Sequence, residues 1–167
     1  MRRLHRAPAL DAAAIERAVE HLNQTVREHG LKTSSVRNAV ARAALRHQGH
    51  FSVDDLVRDV REGGLADAHP ATVYRVLPLL VEAGLLQVTL MSARDGARYE
   101  RAFEREHHDH LICTSCGKVV EFQFEAIELL QLDVAKKFGF HLTSHFHELL
   151  GTCKECRSSS GAAAAGR

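Results

Sequence analysis

The residues able to do chemistry in this chain are its cysteines and a histidine cluster beside them. All four cysteines fall in two pairs of identical spacing, Cys113-x2-Cys116 and Cys153-x2-Cys156. Two thiolates separated by two residues can share one tetrahedral ion. Two such pairs close a four-sulfur shell, the arrangement of structural Zn2+. A closed shell leaves no coordination position for a substrate, so the quartet predicts stabilisation rather than catalysis. A redox pair is the alternative use of the same thiols.

Immediately upstream lies EHHDHLIC, residues 106–113. On a strand, alternate side chains face opposite sides. His108 and His110 would then face one way, and His107 and Asp109 the other. One short strand thus predicts two separate sites of nitrogen and oxygen donors, suited to Fe, Mn, Co or Zn. Each set needs partners from elsewhere; the candidates are His50, Glu100, Glu121, Glu128 and His145. Glu125, His141, His147 and Glu148 carry no specific argument. No HExxH occurs, and no Ser or Cys sits in a recognisable activating arrangement. The expectation is a protein that is not an enzyme and has no organic substrate.

These donors must be positioned by elements that the apolar spacing predicts. Ile15, Val19, Leu22 and Val26 recur at helical intervals, predicting a helix over 11–30. A second covers 35–47. Ser52 and Asp55 read as a capping box for a third, through about Val60. A fourth begins at Pro70, a favoured first helical residue, and carries ATVYRVLPLLVEAG, although Pro78 is awkward in its interior. Residues 85–91 and 97–103 read as strands joined through Asp95–Gly96, a hairpin turn. Helices followed by a hairpin is the element order of a winged helix-turn-helix. Beyond it, 109–113 and 118–122 read as strands. Residues 124–138 form a helix whose stripe is Phe124, Ile127, Leu130 and Val134, and 141–150 a last strand. The expected fold class is α/β: an N-terminal winged helix-turn-helix (1–95), then a small metal-binding α/β domain (96–157), then a disordered tail (158–167).

In a helix-turn-helix the second helix enters the major groove. Thr72, Tyr74 and Arg75 lie early in that helix and are candidates for base or phosphate contact. Lys32 and Arg37 are candidates for backbone contact, as are Arg2, Arg3 and Arg6. The charge balance agrees only weakly. The 167 residues carry a formal net charge of +1. Residues 1–98 hold 14 basic and 11 acidic groups, net +3, and residues 99–167 hold 8 and 10, net −2. No apolar run reaches the ~18 residues of a membrane span, and the first residues lack the apolar core of a signal peptide. A cytoplasmic protein without membrane contact is expected.

Taken together, the segments HHDHLICTSCGKVVEF (107–122), HPATVYRVLPLLVEAGLL (69–86), GHFSVDDL (49–56) and LLGTCKEC (149–156) resemble the ferric uptake regulator family, over about residues 11–157. The resemblance implies a homodimeric, metal-responsive transcriptional repressor that binds double-stranded operator DNA and controls metal uptake and homeostasis. It implies a structural Zn2+ on Cys113, Cys116, Cys153 and Cys156. It implies a sensory site of His50, Glu100, His108 and His110, with Glu121 completing the shell in some relatives. His107, Asp109, Glu128 and His145 would form an additional site in the second domain (96–157), which the resemblance makes a small α/β dimerisation domain. Fe2+ is the regulatory ion expected first, with Zn2+ or Mn2+ as others. A zinc-uptake or peroxide-responsive regulator of the same fold is the alternative, and a metalloenzyme or metal-storage protein the alternative of another class. The chain departs from the family pattern at Pro78, around Ser34–Ser35, and in a segment from Glu100 to His107 that is one residue longer than usual. Glu104 is therefore the alternative to Glu100.

Overall fold

Helix starts in the first hundred residues are set by side chains that accept from otherwise orphaned backbone N–H groups. In the computed structural model, which describes residues 2–3, 8–66, 68–89, 97–143 and 145–158, Asp11 accepts from the Ala14 amide at 2.7 Å and opens α1, Ala12–Glu28. Ser34 accepts from Arg37 ahead of α2, Ser35–Arg46. The capping box forms as expected. Ser52 Oγ accepts from the Asp55 amide at 3.1 Å, and Asp55 accepts from the Ser52 amide at 3.0 Å. It opens α3, Val53–Glu62. The imidazole of His69 accepts from the Ala71 amide, and Pro70 begins α4, Pro70–Glu82.

The four helices bury one apolar core. Leu22 and Val26 of α1, Val40 and Leu45 of α2, Leu56 of α3, and Val73, Leu77 and Leu80 of α4 are all at or near complete burial. α4 runs through Pro78 without a break. Pro78 is exposed, and its ring costs the Tyr74 carbonyl its helical donor. The buried face on either side of it holds the helix. β2, Leu86–Thr89, pairs antiparallel with β3, Arg98–Arg101, in the register Leu86 with Arg101 and Thr89 with Arg98. The expected Asp95–Gly96 turn lies outside the described residues.

Residues from His107 onward, together with the first residues of the chain, make a second unit; Arg6–Glu106 make the first. The sequence places the break at 95/96, but the ladder to β2 keeps β3 in the first unit. In the second unit β1 (Arg2–Arg3), β5 (Val119–Gln123), β4 (Asp109–Cys113) and β6 (Glu148–Gly151) form a four-stranded sheet in that order. β4 and β5 are antiparallel neighbours; β4 and β6 are parallel, so the connection between them crosses over through α5, Glu125–Lys137. Two differences from expectation stand out. β1, Arg2–Arg3, pairs with β5, which a two-residue strand cannot announce by its pattern. The strand expected over 141–150 is confined to 148–151. Its partner β4 starts only at Asp109, so the ladder begins with His110 opposite Glu148, the His147 carbonyl accepting from the His110 amide at 3.2 Å.

No α5 side chain is buried. The apolar stripe read from the sequence exists, but Leu130 is 65% exposed and Val134 57%. Among the described residues no helix is long and apolar enough to cross a membrane.

The Asp55 carboxyl, held by the Ser52 amide and hydroxyl, is pulled down from its ordinary 3.8 to about 2. A lowered carboxyl stabilises the fold fully above its ordinary value, and that contribution is lost as pH falls toward 2. Replacing Ser52 by Ala is expected to cost about 1 kcal/mol at neutral pH, read as a lower urea midpoint. The difference between Ser52→Ala and wild type should shrink between pH 4 and about 2.

Candidate metal centres

The cysteine quartet is assembled by the parallel pairing of β4 and β6. Cys113 ends β4 opposite Gly151, and the Thr114 amide donates to the Gly151 carbonyl at 2.8 Å. A turn after Cys113 brings Cys116 back. It closes at Gly117, whose φ of +70° is a left-handed conformation that glycine adopts without a Cβ penalty. Cys153 follows β6, and Cys156 lies in a short helical segment over 154–158. The four sulfurs all lie within 4.8 Å of one another, and none is in a disulfide. Cys116 and Cys153 Sγ are 3.8 Å apart. A Zn–S distance of about 2.3 Å puts sulfurs on a tetrahedron about 3.8 Å apart. Backbone amides of Cys153 and Cys116 hold the Cys113 thiol down at about 6, with the Cys153 amide 3.3 Å from its sulfur. Hydrogen bonds from Cys156 to the neighbouring thiols of Cys153 and Cys116 push it up to about 12. One thiolate is thus easily formed and the last resists. Four can ionise together only beside a cation.

A second group gathers around Asp109. Its carboxylate is fully buried, and neither oxygen has a hydrogen-bond partner. His107 Nε2 lies 3.4 Å from Asp109 Oδ1 and 3.5 Å from Glu128 Oε1. His145 Nε2 lies 3.4 Å from Glu128 Oε2 and 3.9 Å from Asp109 Oδ1, and it too lacks a hydrogen-bond partner. The four donor atoms lie within 4.8 Å of one another. A buried carboxylate without donors costs several kcal/mol unless a positive charge meets it. The donors and this unmet charge fit a divalent cation. His147, given no role by the sequence reading, brings Nδ1 to 4.0 Å from Asp109 Oδ2. Its spacing from His145 is the signal that could have marked it.

The other face of the same strand carries His108 and His110, both nearly buried, their rings 4.9 Å apart. Glu121 of β5 is the register partner of His110. The division expected from strand alternation, 107 with 109 and 108 with 110, is the division observed.

In the first unit, Phe51 and Tyr99 exchange both backbone hydrogen bonds at 2.9 Å. This bridge sets the flanking residues opposite each other, and His50 Nε2 comes within 3.4 Å of Glu100 Oε2. Glu100 is fully buried. Gln87, its register partner on β2, donates to Oε1 at 2.6 Å, and the Arg105 guanidinium donates to Oε2. Neither Gln87 nor Arg105 was singled out by the sequence. Glu104, the alternative to Glu100, is turned away: it takes φ of +50° and pairs with Arg17 at 2.8 Å.

Of the proposed DNA contacts, Lys32, Tyr74 and Arg75 are exposed and Thr72 is half-buried. Arg37 is half-buried and donates to the Lys32 carbonyl at 2.9 Å, so part of its guanidinium is committed to its own loop.

Residues 28–150 match the model of the ferric uptake regulator family. The chain belongs to the ferric uptake regulator family. The ferric uptake regulation protein of Helicobacter pylori is 35% identical over 145 residues, which span 87% of this chain and 95% of that protein. The solved structure of the Helicobacter pylori ferric uptake regulator, reported to reveal three functional metal binding sites, superposes with a TM-score of 0.72 at 33% identity, covering 92% of this chain and 97% of that one. A zinc uptake regulator solved with zinc and DNA gives 0.55 at 26% identity, covering 88% and 97%.

The orphaned carboxylate makes a specific prediction for this family member. After chelator treatment, Asp109→Asn should unfold at a temperature equal to or above that of wild type, because a buried unpaired charge is gone. Added Mn2+ should raise the wild-type midpoint by clearly more than it raises that of Asp109→Asn, as thermal unfolding monitored by circular dichroism will show.

Proposed function

We propose that this protein is a metal-responsive transcriptional repressor that binds double-stranded operator DNA as a homodimer and controls metal-uptake genes, with Fe2+ as the sensed ion. What supports this reading is membership of the ferric uptake regulator family together with nitrogen and oxygen donors gathered in each unit. His50 and Glu100 belong to the helical unit. His108, His110 and Glu121 belong to the sheet unit.

In this reading Cys113, Cys116, Cys153 and Cys156 hold a structural Zn2+ that fastens the end of β4 to the end of β6. His107, Asp109, Glu128 and His145 hold a second divalent ion inside the sheet unit. His50, Glu100, His108, His110 and Glu121 hold the regulatory ion, whose donor set of nitrogen and oxygen suits Fe2+, Mn2+ or Zn2+. The ion contributes a link between the units, not a reaction. His50 and His108 then restrict the molecule to the arrangement that DNA binds better, a population shift typically worth about 1–3 kcal/mol. Thr72, Tyr74 and Arg75 on α4 read the major groove, with Lys32 on the phosphates. Site of action follows partner, so the protein works in the cytoplasm. The structure solved with zinc and DNA supports the DNA partner by kinship.

The homodimer is supported by the apolar side chains that the sheet unit leaves uncovered: Leu130, Val134, Phe138 and Phe140 are all more than half exposed. Contiguous exposed apolar surface of this kind is usually covered by a partner. A second copy meets both the need for cover and the need for two reading heads on a symmetric operator.

Two measurements test the proposal. Binding to promoter DNA from the genes flanking its coding region, followed by fluorescence anisotropy, should tighten by about 5- to 150-fold with Mn2+ in wild type. His108→Ala/His110→Ala should remove that dependence, and equal dependence in both proteins defeats the proposal. In sedimentation, Leu130→Asp should shift wild-type dimer to monomer, while the far-ultraviolet spectrum stays native.

A further inference from the structure

The two carboxylates at the hearts of the nitrogen and oxygen sites are equally buried but electrically unlike. Asp109 has no donor on either oxygen. Glu100 has both oxygens engaged: Oε1 accepts from Gln87 Nε2 at 2.6 Å, and Oε2 holds the Arg105 guanidinium. That same Oε2 is the atom that faces His50 Nε2 at 3.4 Å. The Arg105 side chain is only 8% exposed, so solvent screens the pair little.

The chain goes to some length to put Arg105 there. After β3 it turns back on itself, with the Arg105 amide donating to the Ala102 carbonyl at 3.2 Å. Glu104 sits within that turn at φ of +50°, a left-handed conformation that costs a glutamate about 1 kcal/mol or more. Its carboxylate is anchored by Arg17 of α1. The turn returns the guanidinium to a carboxylate five residues earlier.

We infer that Arg105 is a built-in competitor for the cation of the Glu100–His50 site and sets the free-metal concentration at which that site fills. A divalent ion on Glu100 Oε2 meets the Arg105 guanidinium already on that oxygen. Binding a metal therefore includes repulsion from, or displacement of, a buried positive charge. Among the described residues the Asp109 carboxylate meets imidazoles but no guanidinium or ammonium, so its site fills first as metal rises, and the Glu100 site answers only to the higher range. Arg105 is thus a threshold-setting residue, not a ligand. The inference rests on Glu100 and His50 being ligands, as proposed above.

The test uses the full chain with its cysteine quartet loaded with Zn2+, titrated with Co2+ and followed by visible d–d absorption. His50→Ala identifies the phase belonging to the Glu100 site, and Asp109→Asn the phase belonging to the other. Arg105→Met keeps the aliphatic stem and removes the charge. It should lower the Co2+ midpoint of the His50-dependent phase by about tenfold or more, equivalent to about 1.4 kcal/mol, and leave the Asp109-dependent phase in place. Arg105→Lys, which keeps the charge, should stay near the wild-type midpoint. In wild type, the Arg105 Nε–H resonance should move as Zn2+ fills the site. An unchanged midpoint in folded Arg105→Met overturns the inference while leaving the site intact. Should Arg105→Met fail to fold, an Arg105 resonance that stays still through the His50-dependent phase overturns it. Absence of any His50-dependent phase is a different result: it removes the sensory site, and the inference falls with it.

Discussion

The pleat of β4 is the constraint on which the second unit depends. A five-residue strand offers two faces and one end, and each carries a different set of donors. Asp109 faces the histidines at 107 and 145; His110 faces His108 and pairs in register with Glu121; Cys113 closes the strand among four sulfurs. A slip of one residue in the pairing would exchange the two faces and scatter all three sets. The register is held on both sides, by β5 antiparallel and by β6 parallel. The cysteine quartet adds a lock at the strand's end, because Cys113 and Cys116 belong to the β4–β5 turn while Cys153 and Cys156 follow β6.

This dependence explains the choice of metal chemistry in a unit so poor in core. Ile112, Cys113 and Phe122 are its buried apolar side chains among the described residues, against a continuous cluster from four helices in the first unit. A small sheet with one uncovered helix buries little surface, and small domains compensate with metals or with a partner. The sheet unit has the donors for the first and the exposed leucines and phenylalanines for the second.

Much of the site was legible from residue types because its geometry is local. CxxC spacing, and alternation along HHDH, are properties of a turn and a strand that need no tertiary knowledge. The helices of the first unit were legible for the same reason: the Ser52–Asp55 capping box and Pro70 at a first helical position act within four residues. What the sequence hid is what two distant segments create. The bridge between Phe51 and Tyr99 places His50 on Glu100, and no pattern in either segment states the pairing. The same holds for Gln87 and Arg105, ordinary surface types that become partners of a buried carboxylate only once β2 pairs with β3 and the turn after β3 folds back. The strand forecast over 141–150 erred because apolar alternation records a tendency, while a ladder also needs a neighbour of matching length. β4 is too short to give one.

Charge then orders the three sites. In each, negative groups are collected close together, and the fold settles their repulsion differently. In the cysteine quartet Cys113 is held down at about 6 while Cys156 is raised to about 12 by its neighbours; a cation must drive protons off to bind, which favours a soft ion of high affinity. Asp109 leaves its charge unmet, so almost any divalent ion gains by entering. Glu100 carries a counter-charge within the chain, so an ion gains only the difference between itself and Arg105. A site that must be permanently filled is best built in the first way. A site that must report concentration is best built in the third, because a gain reduced by competition brings half-filling up into the range where the concentration changes. That the self-compensated carboxylate is the one beside His50, on the helical unit, is what the proposed division between structural and sensory metal requires.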